Sequence, residues 1–181
     1  MPKTGTVLIT NAAFRVYSSL PAIYSLVPSI GSINQNILAV FFFFKSTLSS
    51  EIIGMLGVSF LIENGKTKKI RCTKQQPKGE IVALSSAIKP SDAILNKLKE
   101  FNVTSIVKMA SSYKFCVIAT GEYDIYAASE RANEWDYAAG HAVAQNAGAI
   151  IKTLDNKPFL YGKDDYRNPS LLIKRAKNLN D

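Results

Sequence analysis

From Glu134 the chain runs Glu-Trp-Asp-Tyr-Ala-Ala-Gly-His-Ala, and it continues through Val143 to Ala147-Gly148-Ala149. A Trp-Asp pair thus opens a stretch built mostly of small residues. Ala favours helix and a glycine favours its end, so the pattern predicts a helix over 136–147 stopped by Gly148. Side chains this small let the helix lie very close to whatever sits behind it. Asp136 is placed at the helix start, where a carboxylate accepts backbone N–H bonds as an N-cap and meets the positive end of the helix dipole. Trp135 and His141 read as packed core residues.

The flanking chain supplies alternating strand and helix signals. Val58 to Ile62 reads as a strand, and Asn64-Gly65 is a strong hairpin signal, with Lys68 to Thr73 returning. Ile81 to Leu84 reads as a buried strand. Pro90-Ser91-Asp92 starts a helix whose apolar stripe is Ile94, Leu95, Leu98 and Phe101. Strands are expected at Val103–Lys108 and Tyr123–Ala127, with a short helix at Ser111–Thr120 ended by Gly121 between them. Ala149–Thr153 and Pro158–Tyr161 read as a strand pair, and Ser170–Ile173 as a last strand before the basic residues Lys174, Arg175 and Lys177. The order predicts a layered α/β domain.

Charge divides the chain. Of 181 residues, the stretch Val16 to Phe44 has no charged side chain, and Phe41 to Phe44 is a run of one residue type. We therefore expect a low-charge segment over 1–50, read as disordered or membrane-associated, and an α/β domain over 51–181. Pro21, Pro28, Gly31 and Asn34-Gln35-Asn36 interrupt residues 16–44 as a membrane span. The formal net charge of +8 favours anionic partners. Cys72 and Cys116 form no CxxC pair, and with a single His a structural zinc site is excluded in practice. A reducing cytoplasm is the expected compartment.

The run from Trp135 to Ala149 resembles the C-terminal signature of the inositol monophosphatase superfamily: aromatic, Asp, any residue, Ala-Ala-Gly, aliphatics, then Gly-Ala. It is most similar to the bacterial branch that removes a phosphate from adenosine 3′(2′),5′-bisphosphate. Met109-Ala110-Ser111-Ser112-Tyr113-Lys114-Phe115-Cys116 resembles that branch's Gly-Ser-Ser-Leu-Lys-Phe-Cys segment, with Ala110 in place of Gly. Asn156 to Tyr161 and Arg167-Asn168-Pro169-Ser170 are also similar to segments of that branch. The resemblance implies the C-terminal half of a layered αβαβα sandwich, preceded by a segment that does not match. It implies Asp136 as a magnesium ligand, Ser111 and Ser112 as contacts to a nucleotide bisphosphate, and Lys114 and Glu134 as further substrate-side residues. Arg131 is a second candidate to face phosphate.

The same resemblance exposes a gap. Family members hold Mg2+ with a Glu of a Gly-Glu pair, two Asp of an Asp-Gly-Thr motif, and the Trp-Asp aspartate. Here no Asp precedes Asp92, and the only upstream acids are Glu51, Glu63 and Glu80, none in such a setting. Magnesium requires several hard oxygen donors in near-octahedral geometry. The expectation is a truncated, inactive homologue of a Mg2+-dependent phosphatase. Two alternatives stand beside it. One is a non-enzymatic anion or nucleic-acid binder using Lys66, Lys68, Lys69, Arg71, Lys74 and Lys78 around the hairpin with Lys174, Arg175 and Lys177 near the end, without a recognised nucleic-acid motif. The other is a membrane-anchored fragment using 16–44.

Overall fold

Apolar alternation in the strands and the small residues of the long helix produce alternating layers of sheet and helix. The computed structural model describes residues 38–45, 48–55, 58–72 and 79–176. A first sheet is an antiparallel meander of β1 (Leu38–Lys45), β2 (Leu48–Met55), β3 (Val58–Glu63) and β4 (Lys66–Ile70). Asn64 and Gly65 both take positive φ, 52° and 69°, as a two-residue turn matched to strand twist requires. The Phe run is therefore strand β1, not part of a helix. The boundary expected at residue 50 falls inside β2, which pairs with β1 on one side and β3 on the other. Residues 16–37 of the candidate membrane segment lie outside the described residues, and no described helix is long and apolar enough to cross a membrane.

A second sheet has the order β6-β5-β7-β9-β8, formed by β5 (Val82–Ser85), β6 (Ser105–Lys108), β7 (Ile125–Ala128), β8 (Ile150–Lys152) and β9 (Leu171–Lys174). β5 runs parallel to both β6 and β7, while β9 is antiparallel to β7 and β8. Successive residues of these strands face opposite layers. Ala83, Ile125, Ala127 and Leu172 pack on Ile94 and Leu98 of α1 (Asp92–Lys99). Leu84, Tyr126, Leu171 and Ile173 pack instead on Phe115 and Ile118 of α2 (Tyr113–Ala119) and on Tyr137 and Ala144 of α3 (Glu134–Asn146).

The α2–α3 layer also receives the first sheet on its other side, through Ile52, Ile70, Cys116, Ala119, Val143 and Ala147. Phe115 to Ala119 are accordingly all buried, as a helix stretch apolar on every side must be. Close approach is visible at Gly54, where a Cβ would come 2.9 Å from the Val143 Cα. Its pairing partner Ser59 donates its hydroxyl to the Val143 carbonyl at 2.8 Å. The described layers are thus sheet, helix pair, sheet and single helix, a mixed α/β architecture.

The strand expected at Pro158–Tyr161 does not form. Pro158 makes one isolated bridge to Lys152. Beyond it, the Gly162 and Lys163 amides are drawn to the Glu134 carboxylate instead of a strand partner.

Candidate functional site

Because β5, β6 and β7 are parallel, the loops that leave them open at one end of the second sheet. Ligands in open α/β sheets bind outside such carboxyl ends, where connections diverge to opposite sides. Here β5 leads through α1 to β6 on one flank, and β6 leads through α2 to β7 on the other. The loop after β6 carries Ser111 and Ser112, and the loop after β7 leads into α3 and Asp136.

Asp136 sits in the first turn of α3, three residues past the N-cap. The N-cap is Asn133, whose backbone N–H donates to Asp136 Oδ2 at 2.9 Å, while the Asp136 N–H donates to the Asn133 carbonyl at 3.0 Å. The expected N-cap role therefore belongs to Asn133. The signal was present as Asn-x-x-Asp, a variant of the reciprocal capping pattern. Asn168 fixes this start from outside: its Nδ2 donates to the Asn133 carbonyl at 2.6 Å and its backbone N–H to the Ala132 carbonyl at 2.8 Å. Trp135 is not core. It is 43% exposed and packs obliquely on the Tyr166 ring, centroids 5.8 Å apart.

Glu134, expected on the substrate side, is instead buried and anchors the 160–163 loop. Its carboxylate accepts the Gly162 N–H at 2.9 Å and the Lys163 N–H at 3.2 Å, and forms an ion pair with the Lys163 ammonium. Burial raises its pKa, but the bonds from Lys163 and Gly162 outweigh burial and hold it below the ordinary carboxylate value. Lys114 is also turned inward and buried. Ser111 is exposed and Ser112 half-buried. Burial, and then the charge of Arg131, exposed on the neighbouring loop, lower the pKa of Lys114. His141 is a packed residue, as expected: Nδ1 lies 2.8 Å from the Tyr161 hydroxyl and the ring meets Phe159 edge-on.

Asp136 has one oxygen on the Asn133 amide, and both Glu134 oxygens are on the 162–163 backbone. Among the described residues no three Asp, Glu, His or Cys side chains gather into a group able to hold a metal ion. These residues alone do not fit a magnesium site. The larger of the two described cavities, about 390 Å³, lies elsewhere, between α1 and β8–β9. It opens near the carbonyl end of α1 and is lined by Lys152 and Lys174 as well as by Lys97, which is paired with Glu100 at 2.8 Å.

The basic tail is likewise not a free patch. Lys174 and Arg175 are buried, and Arg175 forms an ion pair with Asp124. Lys66, Lys68, Lys69 and Arg71 are exposed on and just after β4, while Lys74, Lys78 and Lys177 lie outside the described residues.

The inositol monophosphatase family pattern matches residues 20–180. The chain belongs to the inositol monophosphatase family. Within that family it is 34% identical over 118 residues to the 3′(2′),5′-bisphosphate nucleotidase CysQ of Escherichia coli strain K12, covering 65% of this chain and 47% of that protein. The CysQ of Buchnera aphidicola is 35% identical over 89 residues, covering 49% of this chain and 32% of that protein. The chain thus spans about half the length, or less, of these curated relatives. Among solved structures, CysQ from Bacteroides thetaiotaomicron superposes with a TM-score of 0.60 at 22% identity, covering 77% of this chain and 59% of that one. A Pyrococcus horikoshii protein with similarities to inositol-1 monophosphatase superposes at 0.59 and 19% identity, covering 77% and 53%. These superpositions agree on the inositol monophosphatase fold.

Proposed function

We propose that this chain recognises a nucleotide 3′(2′),5′-bisphosphate, or a related small phosphate ester, at the strand-end edge bearing Ser111, Ser112 and the start of α3. The observation that carries this reading is the shared end of the second sheet. The Ser111–Ser112 loop and a thirteen-residue helix with Asp136 in its first turn open there together. A helix start attracts anions through its dipole and unsatisfied N–H groups. The similarity to CysQ nucleotidases supports a phosphate ester as the ligand.

We further propose that the chain is a partial, inactive homologue. Among the described residues Asp136 is the carboxylate we assign to a metal, and it would serve a Mg2+ ion only with further oxygen ligands beside it. Mg2+ would then activate water and steady the leaving oxygen. The cytoplasm is the proposed compartment, supported by two buried free thiols, Cys72 and Cys116.

Trp135 is the single Trp of the chain and is partly exposed beside Asp136, so its fluorescence reports the site. Titration with adenosine 3′,5′-bisphosphate should give a saturable change that weakens with salt. Phosphate release with Mg2+ should not exceed that of Asp136→Asn. No saturable change would defeat the binding proposal, and release that Asp136→Asn abolishes would defeat the proposal of inactivity.

The exposed Lys66, Lys68, Lys69 and Arg71 favour a second reading, a non-enzymatic polyanion binder. That reading expects nucleic-acid affinity to fall steeply with salt and to vanish when these four are neutralised.

A further inference from the structure

We propose that Lys114 is the positioning residue of the Ser111–Ser112 loop: its enclosed ammonium ties the Met109 and Ser111 carbonyls together and keeps Ser111 in a left-handed conformation. The inference deepens the reading above and rests on it for the loop's role in binding, but the contacts themselves stand apart from any ligand.

Ser111 has φ of 68°, a region that side chains other than glycine seldom occupy unless their surroundings hold them there. The Lys114 ammonium supplies that hold. It donates to the Met109 carbonyl at 3.1 Å and to the Ser111 carbonyl, bridging the two ends of the bend. Its remaining side lies over the Tyr126 ring, 4.9 Å from the centroid. An ammonium has three donors and no acceptor, so two carbonyls and a ring face use what it has. Lys114 is only 3% exposed. A residue enclosed in this way acts on a phosphate through the loop it shapes, not by direct contact.

The other side of the loop is fixed as well, since the Met109 N–H donates to the Ser85 carbonyl at 3.0 Å and the Phe115 N–H to the Ser112 carbonyl at 3.0 Å. Lys114 therefore closes the one stretch of this connection that neither the sheet nor the helix ladder orders. The groups that face it are Arg131 from the loop before α3 and Tyr126 from β7, and the Tyr126 hydroxyl in turn lies 3.4 Å from that of Tyr137 of α3.

Burial, and then the charge of Arg131, lower the Lys114 pKa from 10.5 to about 8. Below that value the ammonium makes charge-assisted bonds to both carbonyls; above it a neutral amine makes weaker ones. Between about 8 and 10.5 the unfolded chain holds the proton that the folded chain has lost, so global stability rises with pH in that window. Loop order falls in the same window. The opposite signs separate a local clamp from a general stabilising residue.

The test follows the 13C resonances of Lys114 Cε and of the Met109 and Ser111 carbonyls from about pH 6 to about pH 11. All three should titrate together near pH 8 in the wild type. In Lys114→Arg the carbonyls should stay near their low-pH positions throughout. In Lys114→Met they should sit away from those positions at every pH, while the core amides remain protected. A Cε midpoint at the ordinary lysine value, or carbonyls that stay silent while Cε titrates, overturns the proposal. If Lys114→Met does not fold, the wild-type titration and Lys114→Arg decide the matter. In a separate arm, adenosine 3′,5′-bisphosphate affinity read by Trp135 should weaken about tenfold across the same window and hold in Lys114→Arg. A pH-independent affinity would overturn the link between clamp and binding. Absence of binding at every pH overturns the function proposed above, and the carbonyl titration still judges Lys114.

Discussion

Asp124 lies where β5 and β7 begin, with no exposed surface, and two groups share its carboxylate while a third bonds its backbone carbonyl. Oδ2 accepts the Val82 N–H at 2.8 Å, Oδ1 meets the Arg175 guanidinium, and the Asp124 carbonyl accepts the Arg175 N–H at 3.1 Å. A buried pair of this kind gains little over an apolar pair of the same shape, because removing two charges from water offsets their attraction. Breaking it is another matter. Asp124→Ala leaves a guanidinium that is 4% exposed without its counter-ion and Val82 without its acceptor. We expect a loss of about 3–5 kcal/mol in urea unfolding. The double variant Asp124→Leu, Arg175→Met should be closer to wild type than either single change. A single-variant cost under about 1 kcal/mol would mean that water reaches the pair. From sequence Arg175 reads as part of a basic tail. Its burial was not legible there, because the partner lies 51 positions away and the two meet only after β9 inserts beside β7.

Among the elements, α2 and α3 show how a small-residue helix is used. A Cβ placed at Gly140 would fall 2.6 Å from the Phe115 ring, and Phe115 has no exposed surface. Two effects oppose each other in Gly140→Ala. Helix propensity favours Ala by about 1 kcal/mol. Overpacking against a ring with nowhere to move costs about 1–3 kcal/mol. We expect overpacking to win, lowering the urea midpoint, and Phe115→Leu to recover part of the loss in the double variant. A midpoint raised by Gly140→Ala alone would show that the layer yields. The tight contact was legible in the Ala-Ala-Gly spacing, as were the Asn-Gly hairpin and the glycine ends of α2 and α3, since each signal is local. β1 and β2 were not. An unbroken Phe run has neither the alternation of a half-buried strand nor a helical stripe, so only its pairing with β2, itself paired with β3, identifies it. Of the proposed site, the strand order alone was legible, which opens the loops after β6 and β7 at one end of the sheet; the inward turn of Glu134 and Lys114 was not, because long charged side chains found backbone partners that no spacing announces.

Across the whole molecule, the packing between α3 and the 159–163 segment makes stability depend on pH. His141 of α3 is enclosed by Phe159 and Tyr161, and burial lowers its pKa from 6.5 to about 4. Between those values the unfolded chain binds a proton that the folded chain does not, so stability is lost as pH falls from about 6.5 towards 4. At 1.36 kcal/mol per unit the loss is at most about 3 kcal/mol. Glu134 acts on the same segment in the next, more acid window. Its folded pKa lies below 4.5, so its contribution is intact above that value and fails only beneath it. The two windows separate experimentally. His141→Gln removes the proton site and retains a polar group near the Tyr161 hydroxyl. It should flatten the urea midpoint between about pH 6.5 and pH 4.5 while leaving the steeper acid limb in place. Lys163→Met, which removes the ammonium from Glu134, should do the reverse. If His141→Gln leaves the upper limb unchanged, the imidazole takes up its proton in the folded protein, and the α3 contact is open to water rather than sealed by Phe159.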